Sequence, residues 1–389
     1  MGDEMINLDK QYVANTYARF PVEIAYGKGS YLYSPQGKEY IDMGSGIGVT
    51  AFGNGDEKWK RAVIEQLDKV QHTSNLYYTE PCAKLAELLC KRTGFKKVFF
   101  GNSGAEANEC AIKVARKYGT ENKGEDCNVI ITLKNSFHGR TLTTLSATGQ
   151  EVFHQLFNPL TQGFVYAEAN NLQSVCDLLA KNNVCAIMIE CIQGEGGVIP
   201  LDKDFVLGIR KLCDENNILM VVDEVQTGNG RTGELYAYMN YGIMPDVVTT
   251  AKGLGGGLPI GCCLMNEKTQ NVLTYGTHGS TFGGNPVCSA GAISVIERLT
   301  DDFLKGVKQK SQYIFEQLSN ASGVESVCGM GLMIGIKTVK PVKEVLSYCI
   351  ENGVLCLSAK DKLRLLPALN IPQEALEKAI SVIKTACAI

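Results

Sequence analysis

Histidine is scarce in this chain: His72, His138, His154 and His278 are the only four in 389 residues. They lie far apart, and none stands at zinc-like spacing with cysteine or glutamate, so no structural metal is expected. The fifteen cysteines contain no C-x-x-C, their number is odd, and several sit inside apolar runs such as VCAIMIEC and GCCLM. This argues against a disulfide framework and fits buried, reduced thiols in a cytoplasmic chain. No apolar run approaches the roughly 18 residues that a membrane span needs. The first twenty residues carry acidic groups and lack an apolar h-region, so no secretory leader is expected. Nor is there an excess of basic charge. Thirty-eight Lys and Arg against forty-one Asp and Glu give a formal net charge of −3. Neither nucleic acid nor an anionic membrane is expected as a partner.

What the chain does contain is a repeated alternation. The stretch YLYSPQGKEYIDM reads as a hairpin, with Pro35 at the second turn position and Gly37 at the fourth. From about residue 56, helical patterns at 57–71, 79–92 and 203–216 alternate with apolar strands. The strands are KVFF (97–100), NVIITL (128–133), VCAIMIE (184–190), ILMVVD (218–223) and DVVTTA (246–251). Such alternation predicts an α/β fold with a largely parallel sheet and helices on both faces. Ligands then belong at the carboxyl ends of the strands. After residue 287, two long helical patterns precede GLMIGIK and RLLPAL, which suggests a smaller α+β domain.

Three strand ends carry chemistry. After VFF comes GNSGAEANE, where Ser103 and Glu106 form an S-x-x-E capping box. Free N–H groups and the helix dipole make a cradle for an anion. The alternative is a plain helix cap, and this stretch has neither a P-loop nor a GxGxxG. After ILMVV comes Asp223, a cap or surface charge unless it lies in a closed site with partners. After DVVTTA comes Lys252, set before the glycines of GLGGG. A lysine with a lowered pKa is a nucleophile for carbonyls. Phosphate, pyridinium nitrogen and aldehyde would engage all three, and pyridoxal 5′-phosphate has these groups. On this reading the glycines let the chain turn tightly past the cofactor.

The motifs GNSGAEANE, SFHGRTL, IECIQGEGGV, VVDEVQTGNGRTG, AKGLGGGLPIG and HGSTFGGNP occur in order. In these the chain resembles the class III pyridoxal-phosphate aminotransferases, from about residue 15 to residue 371. The resemblance implies the fold-type I, aspartate-aminotransferase-like architecture. Residues 56–287 would form the large cofactor-binding domain, with 1–55 and 288–389 as the two parts of the small domain. It also implies an obligate homodimer with shared active sites. Lys252 matches the Schiff-base lysine, Asp223 the carboxylate on the pyridine nitrogen and Gln226 the partner of the ring hydroxyl. Ser103, Gly104 and Ala105 match the phosphate loop, and Phe137 the aromatic residue on the ring face. Thr281 matches a threonine that reaches the neighbouring subunit's phosphate. Tyr17, Arg140, Glu195, Ser280 and Arg364 match substrate-binding positions. Among them, Arg140 holds a carboxylate, while Arg364 and Glu195 form a pair that opens for 2-oxoglutarate or glutamate. The donor implied is the δ-amine of N-acetylornithine, with ornithine, succinylated relatives and 4-aminobutyrate as rivals. Ala105 and Asn229 depart from the family's commoner threonine and methionine. Taken singly, Phe137 could be core, Arg140 a surface residue, Glu195 a solvated turn and Arg364 an edge-strand arginine. His72 and His138 read as structural.

Overall fold

The computed structural model describes residues 2–389. Its centre is a seven-stranded sheet. The strands in chain order are β1 (Lys97–Gly101), β2 (Val129–Leu133), β3 (Phe164–Ala167), β4 (Val184–Ile189), β5 (Leu219–Asp223), β6 (Val247–Thr250) and β7 (Gly261–Met265). Their spatial order is β1-β7-β6-β5-β4-β2-β3. Pairing is parallel from β6 through β5, β4 and β2 to β3. The exception is β7, antiparallel to both β6 and β1. The sequence pattern missed β7 because GCCLM is an apolar run with no period to show direction. Two antiparallel pairings in succession return β1 to the direction of β6, so its carboxyl end joins the others.

Every residue of β4 is buried. Side chains alternate across a strand, and here the alternation divides two cores. Ile187 and Ile189, with Met220 and Val222 of β5, belong to one cluster, which includes Phe205, Val206 and Ile209 of helix α2 (Lys203–Glu215). Ala186 and Met188, with Leu219 and Val221, belong to the other, built on Cys110, Ala111, Val114 and Ala115 of helix α1 (Gly104–Lys123). A sheet covered on both faces leaves its strand ends as the place for polar chemistry.

Two four-stranded sheets and a two-stranded pair, Ile192–Gln193 with Ile199–Pro200, complete the fold. The expected hairpin forms, with the Gly37 N–H donating to the Ser34 carbonyl at 2.9 Å. Its second strand, Glu39–Asp42, pairs in parallel with Val354–Leu355, so the two ends of the chain share a sheet. The other four-stranded sheet has β8 (Val324–Met330), β9 (Met333–Thr338), β10 (Leu357–Ala359) and β11 (Lys362–Leu365), all antiparallel in the order β8-β9-β11-β10. All fifteen cysteines are free thiols. Among the described residues no helix is long and apolar enough to cross a membrane.

Candidate active site

A cavity of ≈ 450 Å³ opens at the carboxyl ends of the central strands, lined by Ser103, Gly104, Ala105, Phe137, Arg140, Asp223, Gln226 and Lys252 among others. The first wall is the start of α1. Ser103 Oγ accepts from the Glu106 N–H at 3.2 Å, and Glu106 Oε2 accepts from the Asn102 N–H at 2.8 Å. This is a capping box displaced by one residue at its return bond. The N–H groups of Gly104 and Ala105 precede any intrahelical acceptor, so they remain for an anion beside the cavity. The first residue of β7 closes against this turn. A Cβ on Gly261 would lie 2.2 Å from the Ser103 carbonyl oxygen, which only glycine avoids.

Asp223 ends β5 and is buried, 3% exposed. Asn108 Nδ2 donates to Oδ2 at 2.8 Å, and the Val225 N–H donates to Oδ1 at 2.9 Å. His138 Nδ1 lies 2.8 Å from Oδ2 and donates to it. His138 is therefore part of the site, contrary to its reading as merely structural. Burial works against its charge, but the hydrogen bond and charge of Asp223, with Glu190 adding, hold its pKa above the usual imidazole value. Asn108, also unforeseen, is fixed from behind by Thr249 Oγ1, which donates to its Oδ1 at 2.6 Å. Asn108 lies on the inner face of α1, five residues beyond the cap. Glu190 follows β4 just as Asp223 closes β5, and that strand-end position was the signal that could have found it.

Lys252 lies two residues beyond β6 with φ 43°, a left-handed conformation that costs a non-glycine residue about 1–2 kcal/mol. The strain is held by Asn229, whose Nδ2 donates to Thr250 Oγ1 at 2.8 Å and to the Ala251 carbonyl at 3.0 Å. The asparagine that departs from the family pattern thus anchors the lysine turn. Burial pushes the amine pKa below the usual lysine value. The Arg364 charge adds to this, and Glu195, Asp223 and Glu190 oppose it. The glycines that follow serve a different purpose from the one expected. Only Gly257 of the GGG run borders the cavity. A Cβ on Gly255 would meet the Leu258 backbone, and one on Gly256 would meet the Trp59 indole at 2.9 Å. Trp59 Nε1 donates to the Gly255 carbonyl at 3.0 Å, so the run closes a turn onto tryptophan.

Two arginines stand differently toward the cavity: Arg140 lines it, and Arg364 reaches it through Gln226. Arg140 is exposed, its guanidinium carbon 4.2 Å from the centre of the Phe153 ring and 5.3 Å from that of Phe137. Arg364 is buried, 3% exposed. It sits on β11 between Gly335 of β9 and Leu357 of β10, so it is central in its sheet and not on an edge. Its Nη1 donates to Glu195 Oε1 at 2.6 Å and to Gln226 Oε1 at 3.1 Å. Gln226 Nε2 donates to Glu195 Oε1 at 3.3 Å, so both ends of its amide reach this cluster while a second N–H remains. Burial works to raise the Glu195 pKa, but the charge and hydrogen bond of Arg364, with Lys252 and Gln226, hold it below the usual range. Arg364 Nε is buried without a hydrogen-bond partner among the described residues.

Of the expected residues, Glu195 and Arg364 do not line this cavity but reach it through Gln226, and three more lie elsewhere within one chain. Ser280 and Thr281 line a second hollow with Tyr77 and Tyr78, although Ser280 Oγ accepts from Asn102 Nδ2 at 3.2 Å. Tyr17 is 73% exposed and lines a separate hollow with Arg19 and Phe20.

The arrangement offers an anion cradle, an anchored carboxylate, an amine and, at or beside the cavity, two guanidinium groups. Known proteins resemble this chain over its whole length. The family profile Aminotransferase class-III matches residues 12–387. An acetylornithine aminotransferase of Haemophilus ducreyi is 48% identical over 384 residues, 98% of each chain. A succinylornithine transaminase of Citrobacter koseri is 44% identical, covering 97% of this chain and 95% of its own. The crystal structure of N-acetylornithine aminotransferase from Stenotrophomonas maltophilia superposes with a TM-score of 0.84 at 34% identity, covering 98% of both chains.

Proposed function

The chain belongs to the class III aminotransferases, and from that premise we propose that it transfers the δ-amino group of N-acetyl-L-ornithine to 2-oxoglutarate. The products are N-acetylglutamate 5-semialdehyde and glutamate, a step of arginine biosynthesis. The enzyme is a pyridoxal 5′-phosphate-dependent aminotransferase. The residues present fit that cofactor. A helix start whose Gly104 and Ala105 N–H groups lie outside its capping box suits a phosphate, and a buried carboxylate with both oxygens anchored suits a protonated ring nitrogen. In this reading Ser103, Gly104 and Ala105 hold the phosphate, Phe137 covers the ring and Gln226 serves its hydroxyl. When bound, the cofactor supplies an aldehyde that takes up the amine and a ring that accepts the electron pair left on carbon.

The chain's own groups do the rest. Asp223, oriented by Asn108 and His138, keeps a proton at the ring nitrogen. Lys252 Nζ, its pKa lowered by burial, is the group that accepts a proton from the donor carbon. Arg140 binds the α-carboxylate. Arg364 binds the second carboxylate, which glutamate has and N-acetylornithine lacks, and Glu195 covers it otherwise. A buried guanidinium left unpaired would be costly.

One observation carries the reading: Arg140 at the cavity has no ion-pair partner among the described residues, whereas Arg364, next to the cavity through Gln226, is covered by a glutamate on a glycine-flanked loop. The relatives named for N-acylated ornithines support the choice of donor. Steady-state kinetics with 2-oxoglutarate and four donors test it. N-acetylornithine should exceed ornithine and 4-aminobutyrate in kcat/KM by about tenfold or more, since ornithine brings a free ammonium to be desolvated. Succinylornithine should rank next. Preference for ornithine or 4-aminobutyrate would overturn the assignment.

The same reading makes the enzyme a homodimer in which Thr281 of each copy reaches the other's phosphate. In support, Leu76, Tyr77, Tyr78 and Phe282, on or near the second hollow, expose large apolar surface. Mixing inactive Lys252→Ala subunits with inactive Thr281→Asp subunits should restore part of the activity. A mixed dimer that forms and stays inactive would exclude shared sites.

A further inference from the structure

Glu190, the residue after β4, is 5% exposed and lies on the wall of the Lys252 cavity. Its two oxygens serve two different loops. Oε1 accepts from the Phe137 N–H at 2.8 Å, at the start of the segment that carries Arg140. Oε2 accepts from the Gly194 N–H at 3.2 Å, the residue before Glu195. Burial drives the Glu190 pKa up. Asp223 adds to this, while His138 and the two N–H donors oppose it. A buried carboxylate is costly, and an apolar side chain would avoid that cost. What only a carboxylate gives here is two acceptors on one rigid group.

We propose that Glu190 is a positioning residue that links the Arg140 segment to the Glu195 loop, so that the grip on one carboxylate and the cover on Arg364 are set together. It thereby biases the site between substrates with one carboxylate and substrates with two. The proposal rests on the reading that Glu195 covers Arg364. The Gly194 N–H held by Glu190 is the fixed end about which that cover swings. The covering loop also packs on the sheet that carries Arg364. A Cβ on Gly335 of β9 would lie 2.8 Å from Val198 Cβ, and Cys328 Sγ donates to the Val198 carbonyl at 3.0 Å. With its far side packed, the loop's near side is where Glu190 acts.

Calorimetry on the holoenzyme tests this with two unreactive probes. Glutarate carries two carboxylates, and pentanoate carries one on the same carbon chain. Glu195→Ala should raise the glutarate-to-pentanoate affinity ratio about tenfold, the effect of freeing one charge-assisted pair. Glu190→Gln keeps one acceptor oxygen and turns an NH₂ toward the other N–H, so one tie is lost. It should raise the same ratio several-fold, and the double variant should match Glu195→Ala alone. A shift in Glu195→Ala without one in Glu190→Gln would overturn the link and leave the cover standing. No shift in either would refute the cover, and the link with it. Independent, multiplying effects in the double variant would also overturn the link. Glu190→Asp keeps the charge but is one methylene too short to reach both loops. It repeats the cycle if the glutamine variant does not fold.

Discussion

Lys252→Ala is expected to abolish turnover, with kcat lowered at least ~10⁴-fold, about 5.4 kcal/mol of transition-state stabilisation. The expectation rests on position. Among the residues lining the cavity, Lys252 alone brings an amine, and Asn229 holds the turn that presents it. Alanine leaves the cavity with no group that can both hold a carbonyl covalently and accept a proton at the same point. Glutamate formation from 2-oxoglutarate measures the loss. Borohydride reduction of the unmodified holoenzyme, followed by peptide mapping, identifies the lysine directly. The label should fall on Lys252, and a label elsewhere would remove it from the role.

Asp223→Asn should cost at least ~100-fold in kcat, about 2.7 kcal/mol. The substitution keeps the shape and removes the charge. It also sets an NH₂ among donors, because Asn108 Nδ2, His138 Nδ1 and the Val225 N–H all point at the present carboxylate. At most one oxygen of the amide could satisfy them, and a buried donor left unmet adds a penalty of about 1–3 kcal/mol. His138 would lose the partner that holds its pKa up, so its imidazole should become neutral at lower pH. Proton NMR of the His138 ring would show that shift. Unchanged kcat would mean that Asp223 serves only to anchor Asn108 and His138.

Asp223 and Lys252 were legible because each directly follows a run of apolar residues, and a charge at that point is conspicuous. The parallel strands β2, β4, β5 and β6 were legible as apolar runs, whereas β3 was not among the expected strands. His138, Asn108 and Glu190 were not legible. Each is a single polar residue, and its role arises only where β4, β5 and α1 converge. The glycines after Lys252 were misread because conformational freedom does not reveal what approaches, and here Trp59 lies 196 residues back along the chain from Gly255. Arg364 gave the pattern of an edge strand, yet strands on both sides enclose it, since pairing order is not written in a four-residue strand. Ser280, Thr281 and Tyr17 were named by resemblance, and one chain alone does not bring them to the lysine.

Glu195 and Arg364 are 169 residues apart in the chain. A ribosome adding about 5–20 residues per second would take roughly 8–34 s to bridge that gap. The strand Glu39–Asp42 likewise waits for Val354–Leu355 before it gains its parallel neighbour. Vectorial synthesis therefore delivers the amine, the carboxylate and the helix cap first and the second guanidinium last. On the proposed roles, a nascent chain holds the means to react with an aldehyde before it can distinguish one carboxylate from two, so discrimination is the final property the growing polypeptide acquires.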